Sequence, residues 1–137
     1  NTLQIIDANV TDVRQYKVAT ANPVAVIAID KKRSVGEFFE DIKGLKKHLK
    51  IVVVVDSEAN NLDSPYMLLW RVANNIDAKR DVILAPFIGL DGTNKNALDG
   101  YDRQWPGDVK CTKSVLEDLK ARGLIDIDDA FEKSFLL

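Results

Sequence analysis

The sequence predicts an α/β domain of three layers, in which a small, mostly parallel β-sheet is flanked by helices. Three observations point there. Residues Ile51 to Val55 form a β-branched run with no polar interruption, the pattern of a strand buried on both faces in the middle of a parallel sheet. A second apolar run, Pro23 to Ile29, opens on a proline, which suits the first position of a strand. Each run leads through a polar turn into a segment of helical period, so the order reads β-α-β-α-β-loop-α, the alternation of a layered α/β domain.

Residues 1–21 hold one apolar patch, Leu3, Ile5 and Ile6, followed by Val10, Val13 and Val18. They read as an edge strand or as a connector from a preceding domain. After the Pro23–Ile29 strand, Ser34-Val35-Gly36-Glu37 has the S-x-x-E form of a capping box. Phe38, Phe39, Ile42, Leu45 and Leu49 then recur at helical spacing, while Lys43, Lys46, Lys47 and Lys50 occupy the wet side and the negative end. The second helix spans about 65–76 and is entered through Ser64-Pro65, a capping residue followed by a proline at the first helical position. Its expected core residues are Leu69, Trp70, Val72, Ala73 and Ile76.

A third apolar run, Val82 to Ala85, stops at Pro86. From Pro86 to Asp108 the chain is rich in Gly, Asn, Asp and Pro without a stable period, and a loop of that length inside a domain usually binds something or packs on a partner. The last core helix is capped by Thr112 or Ser114 (Ser114-x-x-Glu117 is a second capping box), turns Val115, Leu116 and Leu119 inward, and stops at Gly123. The α/β domain is thus drawn as 22–124. Residues 125–137 form a helical tail presenting Phe131, Phe135 and Leu136.

A chain of 137 residues makes one domain with a sizeable core. Its 46% hydrophobic and 29% charged residues are ordinary for a globular protein and argue against disorder. A formal charge of −2 offers no basic field for nucleic acid, and no segment reaches the roughly 20 apolar residues of a membrane span. Cys111 is the single cysteine, so no internal disulfide forms and a reducing, cytoplasmic setting is the default. The chain begins at Asn1 and not at methionine. That suggests a piece of something longer, although removal of an expression tag would look the same.

Several chemistries can be weighed. The acidic crest Asp56, Glu58, Asn60 and Asp63 alternates oxygen ligands, but the spacing fails the calcium-loop test. Asn61 stands where glycine is required and Met67 where the final glutamate belongs, so no metal is expected there. Neither βα turn is glycine-rich, against a phosphate-cradling dinucleotide site. A phospho-receiver would need paired acids after the first strand, and Asp30 is followed by Lys31 and Lys32. His48 is isolated at a helix end, Cys111 lacks a CxxC partner, and Trp70 reads as core. The GLDGTNK segment, Gly89 to Lys95, puts Asp91, Thr93 and Lys95 within five residues just beyond a strand. These residues alone leave two readings open, an internal turn lock and a ligand contact.

The order of motifs VVVVDSEANNLD, LLWRVANNIDAKRD, GLDGTNK and RQWP resembles the C-terminal domain of the UbiD-type, prenylated-flavin decarboxylases, the 4-hydroxy-3-polyprenylbenzoate carboxy-lyase family. The residues that match its pattern are Asp56, Glu58, Asn60, Asp63, Trp70, Asp77, Arg80, Asp81, Leu90, Asp91, Thr93 and Lys95. The likeness spans about 22–122; Gly92 departs from the family's alanine and residues 125–137 match nothing in it. The resemblance implies reversible non-oxidative decarboxylation of an aromatic or α,β-unsaturated acid in the whole enzyme, quinone precursors for ubiquinone or menaquinone included. It places prenylated FMN, its metal ion and the catalytic Glu-Arg-Glu set upstream, so that this segment binds no cofactor and is inactive alone. It implies a homo-oligomer, with Phe87, Ile88 and Leu90 on a loop at the substrate pocket and Asp91, Thr93 and Lys95 bracing that loop. The alternative is a stand-alone α/β binding or regulatory domain whose crest recognises a small anion or a protein.

Overall fold

A computed structural model describes residues 7–18, 22–45, 49–84 and 86–135. Leu3, Ile5, Ile6, Lys46, Lys47, His48, Ala85 and Leu136, named above, lie outside the described residues. The elements are β1 (Val10–Val18), β2 (Asn22–Ile29), α1 (Val35–Ile42), β3 (Ile51–Asp56), α2 (Pro65–Asn75), β4 (Val82–Leu84), β5 (Ile88–Asp91), α3 (Lys113–Ala121) and α4 (Asp129–Ser134). Short 3₁₀ turns cover Lys43–Leu45 and Ala97–Asp99.

The five strands lie in the order β1-β2-β3-β5-β4. β2 with β3 and β3 with β5 are parallel, whereas β1 with β2 and β4 with β5 are antiparallel. The fold is α/β with three layers, but the sheet is mixed, not mostly parallel. The cause lies in Pro86 to Asp91. The segment read as loop contains β5, which turns back from β4 and takes the place beside β3. Its sequence hid it because the strand has four residues, one of them glycine. That glycine has a packing reason: a Cβ on Gly89 would stand 2.9 Å from Phe39 Cε2.

α1 covers one face. Ser34 accepts from the Glu37 N–H while the Glu37 carboxylate accepts from Ser34 N–H, completing the capping box. Phe38, Phe39 and Ile42 pack on Ala25, Ile27, Ile29, Val52 and Val54, and Phe87 meets Phe39 edge-on at 5.8 Å. The helix ends at Ile42, earlier than the periodicity suggested, and passes into the 3₁₀ turn.

α2 covers part of the other face, with Leu62 and Leu68 against Val26, Ala28 and Val55. Its buried residues are Met67, Leu68, Arg71 and Asn75, so the helix is turned by about one residue from the expected phase. Leu69 and Ala73 are exposed, and Trp70, Val72 and Ile76 are half-buried. The apolar period misled because two of the inward residues are polar and hold loops. Ser64 is at the cap position but its hydroxyl donates to Ser134 O instead of capping.

α3 starts after Thr112 without a side-chain cap, and Ser114 and Glu117 both lie inside it, so neither expected cap forms. Val115 is exposed, with Leu116 and Leu119 half-buried. The stop is as read: Gly123 has φ +65°, Gly123 N–H donates to Lys120 O and Leu124 N–H to Leu119 O, the paired bonds of a left-handed helix terminus. α4 opens on Asp128, which accepts from Phe131 N–H at 2.7 Å. Among the described residues no helix is long and apolar enough to cross a membrane.

Candidate functional site

The carboxyl ends of β2, β3 and β5 surround a cleft of about 610 Å³, whose walls include Asp30, Lys31, Asp56, Glu58, Asn94 and Asn96. Strand direction assembles it, since each of the three parallel strands delivers its following loop to the same edge.

The acidic crest divides in two. Asp56 ends β3 and its Oδ2 accepts from Asn94 N–H at 2.7 Å. Burial pushes its carboxyl above the usual range, against the pull of that N–H and of the Lys31 and Lys95 ammonium groups. Asn60 donates to Asp56 O and Glu58 O and accepts from Arg71 Nε. Between them Ala59 stands at φ +55°, a left-handed conformation uncommon for a side-chain-bearing residue, and its carbonyl accepts from Arg71 Nη2. Asp63 lies apart. It pairs with Arg14 of β1 at 2.8 Å, and that guanidinium holds its carboxyl below the usual range. Glu58 is exposed. Among the described residues no three or more His, Cys, Asp or Glu side chains could together hold a metal ion.

Asp91, Thr93 and Lys95 converge below the cleft. Thr93 N–H and Oγ1 donate to Asp91 Oδ1 at 2.9 and 2.6 Å. Lys95 Nζ lies 3.0 Å from Asp91 Oδ2 and 3.5 Å from Asp81 Oδ1, and donates to Asp91 O and Thr93 O at 2.9 Å each. All four side chains are buried. Burial opposes ionisation of Asp81, yet Arg80, the Asp77 N–H and Lys95 outweigh it and keep its carboxyl below the ordinary range. Asn75 joins α2 to this loop by donating to Gly92 O and Asn94 Oδ1.

Phe87, Ile88 and Leu90 are not at the cleft. Phe87 is core; Ile88 begins β5 opposite Ile51, at the amino edge, and Leu90 is mid-strand opposite Val53. A parallel strand in this register reaches the carboxyl edge only at Asp91. Residue-level reasoning also missed Lys31, Arg71, Asp99 and Asp108. Lys31, its side chain buried, donates to Thr93 Oγ1, Asn94 O and Asp99 Oδ2. Arg71 makes a two-pronged pair with Asp108, which lowers the Asp108 carboxyl. One signal was present, an arginine inside the apolar stripe of a helix.

The cleft does not fit a flavin phosphate. Asp30, Asp56 and Glu58 border it, no glycine lines it, and the buried ammonium groups of Lys31 and Lys95 are already engaged.

The chain matches the family described as the 3-octaprenyl-4-hydroxybenzoate carboxy-lyase C-terminal domain over residues 2–116. An uncharacterized protein of Helicobacter pylori strain J99 is 40% identical over 131 residues, covering 94% of this chain and 21% of that protein. An uncharacterized protein of Archaeoglobus fulgidus is 27% identical over 79% of this chain and 27% of its own length. An evolved dimeric form of the UbiD-class enzyme HmfF from Pelotomaculum thermopropionicum, in complex with prFMN, superposes with a TM-score of 0.60 at 26% identity, over 75% of this chain and 24% of that one. The vanillic acid decarboxylase of Sedimentibacter hydroxybenzoicus shares the fold, with a TM-score of 0.60 at 15% identity over 89% of this chain and 30% of that one. The chain thus spans between 21% and 30% of the length of these proteins. With the family matched across both halves of the sheet, the crest and the braced loop, the chain belongs to the UbiD C-terminal domain family.

Proposed function

We propose that this chain is the C-terminal domain of a UbiD-type enzyme catalysing reversible, non-oxidative decarboxylation of an aromatic or α,β-unsaturated carboxylic acid. The family match over residues 2–116 carries the reading. Support comes from two proteins of the same fold, one described as a UbiD-class enzyme with prFMN and one as a vanillic acid decarboxylase. Prenylated FMN and its metal ion then belong to the part of the enzyme outside this chain, and no step of the reaction is assigned to residues here. This domain contributes a rigid rim. Lys31, Asp56 and Arg71 tie the three loops of the carboxyl edge to one another, and Lys95 fixes the base of the third.

A role in assembly fits the same reading. Tyr66, Phe131 and Phe135 are exposed, with ring centroids 5.2 Å apart for Tyr66–Phe135 and 4.8 Å for Phe131–Phe135. An exposed aromatic cluster of this kind suits contact between subunits. Equilibrium sedimentation of the chain beside one ending at Gly123 reads it, and a monomer in both removes the assembly role.

The test of the main proposal uses the polypeptide encoded by the complete gene, reconstituted with prenylated FMN. It should release CO₂ from a panel of aromatic and acrylic acids and incorporate labelled bicarbonate in reverse. The 137-residue chain should do neither and should leave the visible flavin spectrum unchanged. Stoichiometric flavin binding by the short chain, or inertness of the loaded long one toward the whole panel, refutes the proposal.

A further inference from the structure

The face of the sheet under α2 is covered over only part of its height. α2 crosses the carboxyl half: Asp63, just before it, is bonded to Arg14 of β1, and Asn75 at its end is bonded to Gly92 after β5. Burial falls row by row below it. Ala28 and Val55, register partners near the carboxyl edge, are buried. In the next row, Val26 is buried while Val53, Leu90 and Val82 are half-buried. In the row nearest the amino edge, Val24, Ile51, Ile88 and Leu84 stand side by side across four strands. Ile88 is 42% exposed and Leu84 82%. Helical geometry puts Leu69, 68% exposed, beside Val72 and away from Arg71 and Asn75. The result is an apolar step whose floor is a partly bare row of sheet and whose wall is the lower side of α2.

A sheet face that meets water carries polar residues at alternate positions, and a sheet with parallel centre strands is normally covered on both faces by helices. None of these four side chains is polar. We propose that it is the seat of an amphipathic helix from the remainder of the same, longer polypeptide, lying alongside α2; this rests on the reading that the chain is one domain of a larger enzyme. Two observations select that occupant over a second copy. The related Helicobacter protein extends well beyond the match, which covers 21% of it, so there is polypeptide to supply the helix. The row also has only four members, two clearly exposed and two partly covered, against the roughly 20–30 residues a side of a standard protein–protein interface. Contact within one polypeptide needs less area, because tethering supplies a high effective concentration.

Thiol labelling tests this. Cys111→Ser removes the only cysteine of these 137 residues, and Leu84→Cys or Leu124→Cys then adds one reporter inside or outside the row. Its labelling is read by mass spectrometry on the peptide that carries it, so that cysteines elsewhere in the longer polypeptide do not contribute. In the 137-residue chain both reporters should react with a maleimide at similar rates, independent of protein concentration. In the polypeptide of the complete gene the Leu84→Cys reporter should slow at least tenfold while Leu124→Cys keeps its rate. Equal rates in the long polypeptide overturn the inference, as does a gene encoding no further residues. Concentration-dependent protection in the short chain overturns it too, in favour of a second copy. Protection of the row in a long polypeptide without decarboxylase activity would instead defeat the functional reading alone.

Discussion

Lys95→Met is the substitution that most directly probes the buried lock. The side chain is wholly enclosed, with its ammonium on two carboxylates and two backbone carbonyls. Methionine keeps most of the volume and removes the charge. Asp81 retains Arg80 at 2.7 Å, but Asp91 keeps only the Thr93 donors and becomes a buried carboxylate with no cation in contact. Removing one partner of a buried pair costs about 3–5 kcal/mol, and the two orphaned carbonyls push toward the upper end. Against a typical domain stability of about 5–15 kcal/mol, such a loss leaves little or nothing in a marginal domain. Urea unfolding at pH 7, followed by far-UV circular dichroism, reads it. Adding Asp91→Asn should recover part of the loss, because the amide still accepts from Thr93 without burying a charge, and the double-mutant cycle isolates that coupling. A cost below about 1 kcal/mol for Lys95→Met, or strict additivity in the cycle, would refute the claim that the pair locks the loop.

Three further outcomes follow from the same geometry. Gly89→Ala should destabilise by about 1–3 kcal/mol, since its Cβ meets the Phe39 ring and the core must shift; an unchanged urea midpoint would mean that the ring moves freely. Val54→Ala, at a fully buried site, should cost about 1–3 kcal/mol, and Val53→Ala, half-buried on the partly covered face, clearly less; equal costs in urea titration would contradict that face's partial covering. Asp56→Asn should stabilise the chain near neutral pH. Its folded carboxyl titrates above the unfolded one, so the relative stability it lends is full below the unfolded value of about 3.9 and is lost as pH rises through the folded value. The gain from the amide should therefore vanish toward pH 3–4, and a gain that grew on acidification would reverse the assigned cause.

Local chemistry in the sequence determined the elements that rest on it. The unbroken β-branched run gave the central strand, Ser34 and Glu37 gave the start of α1, Gly123 gave the end of α3, and the alternation of runs gave the α/β class. Only the tertiary structure decided the rest. Four residues with one glycine have no period to display, so β5 became visible only where β3 offers its edge, Phe39 fills the space left by Gly89, and the mixed sheet results. The phase of α2 was hidden because Arg71 and Asn75 face inward to bond Asp108, Asn60 and Gly92, partners 37, 11 and 17 residues away along the chain. The lock around Lys95 was half legible, since Asp91 and Thr93 are its sequence neighbours, whereas Asp81 reaches it through the β4–β5 pairing. A buried charge is tolerated only where the fold brings oxygens from several segments to it, and that meeting is a property of three-dimensional arrangement which spacing along a chain does not encode.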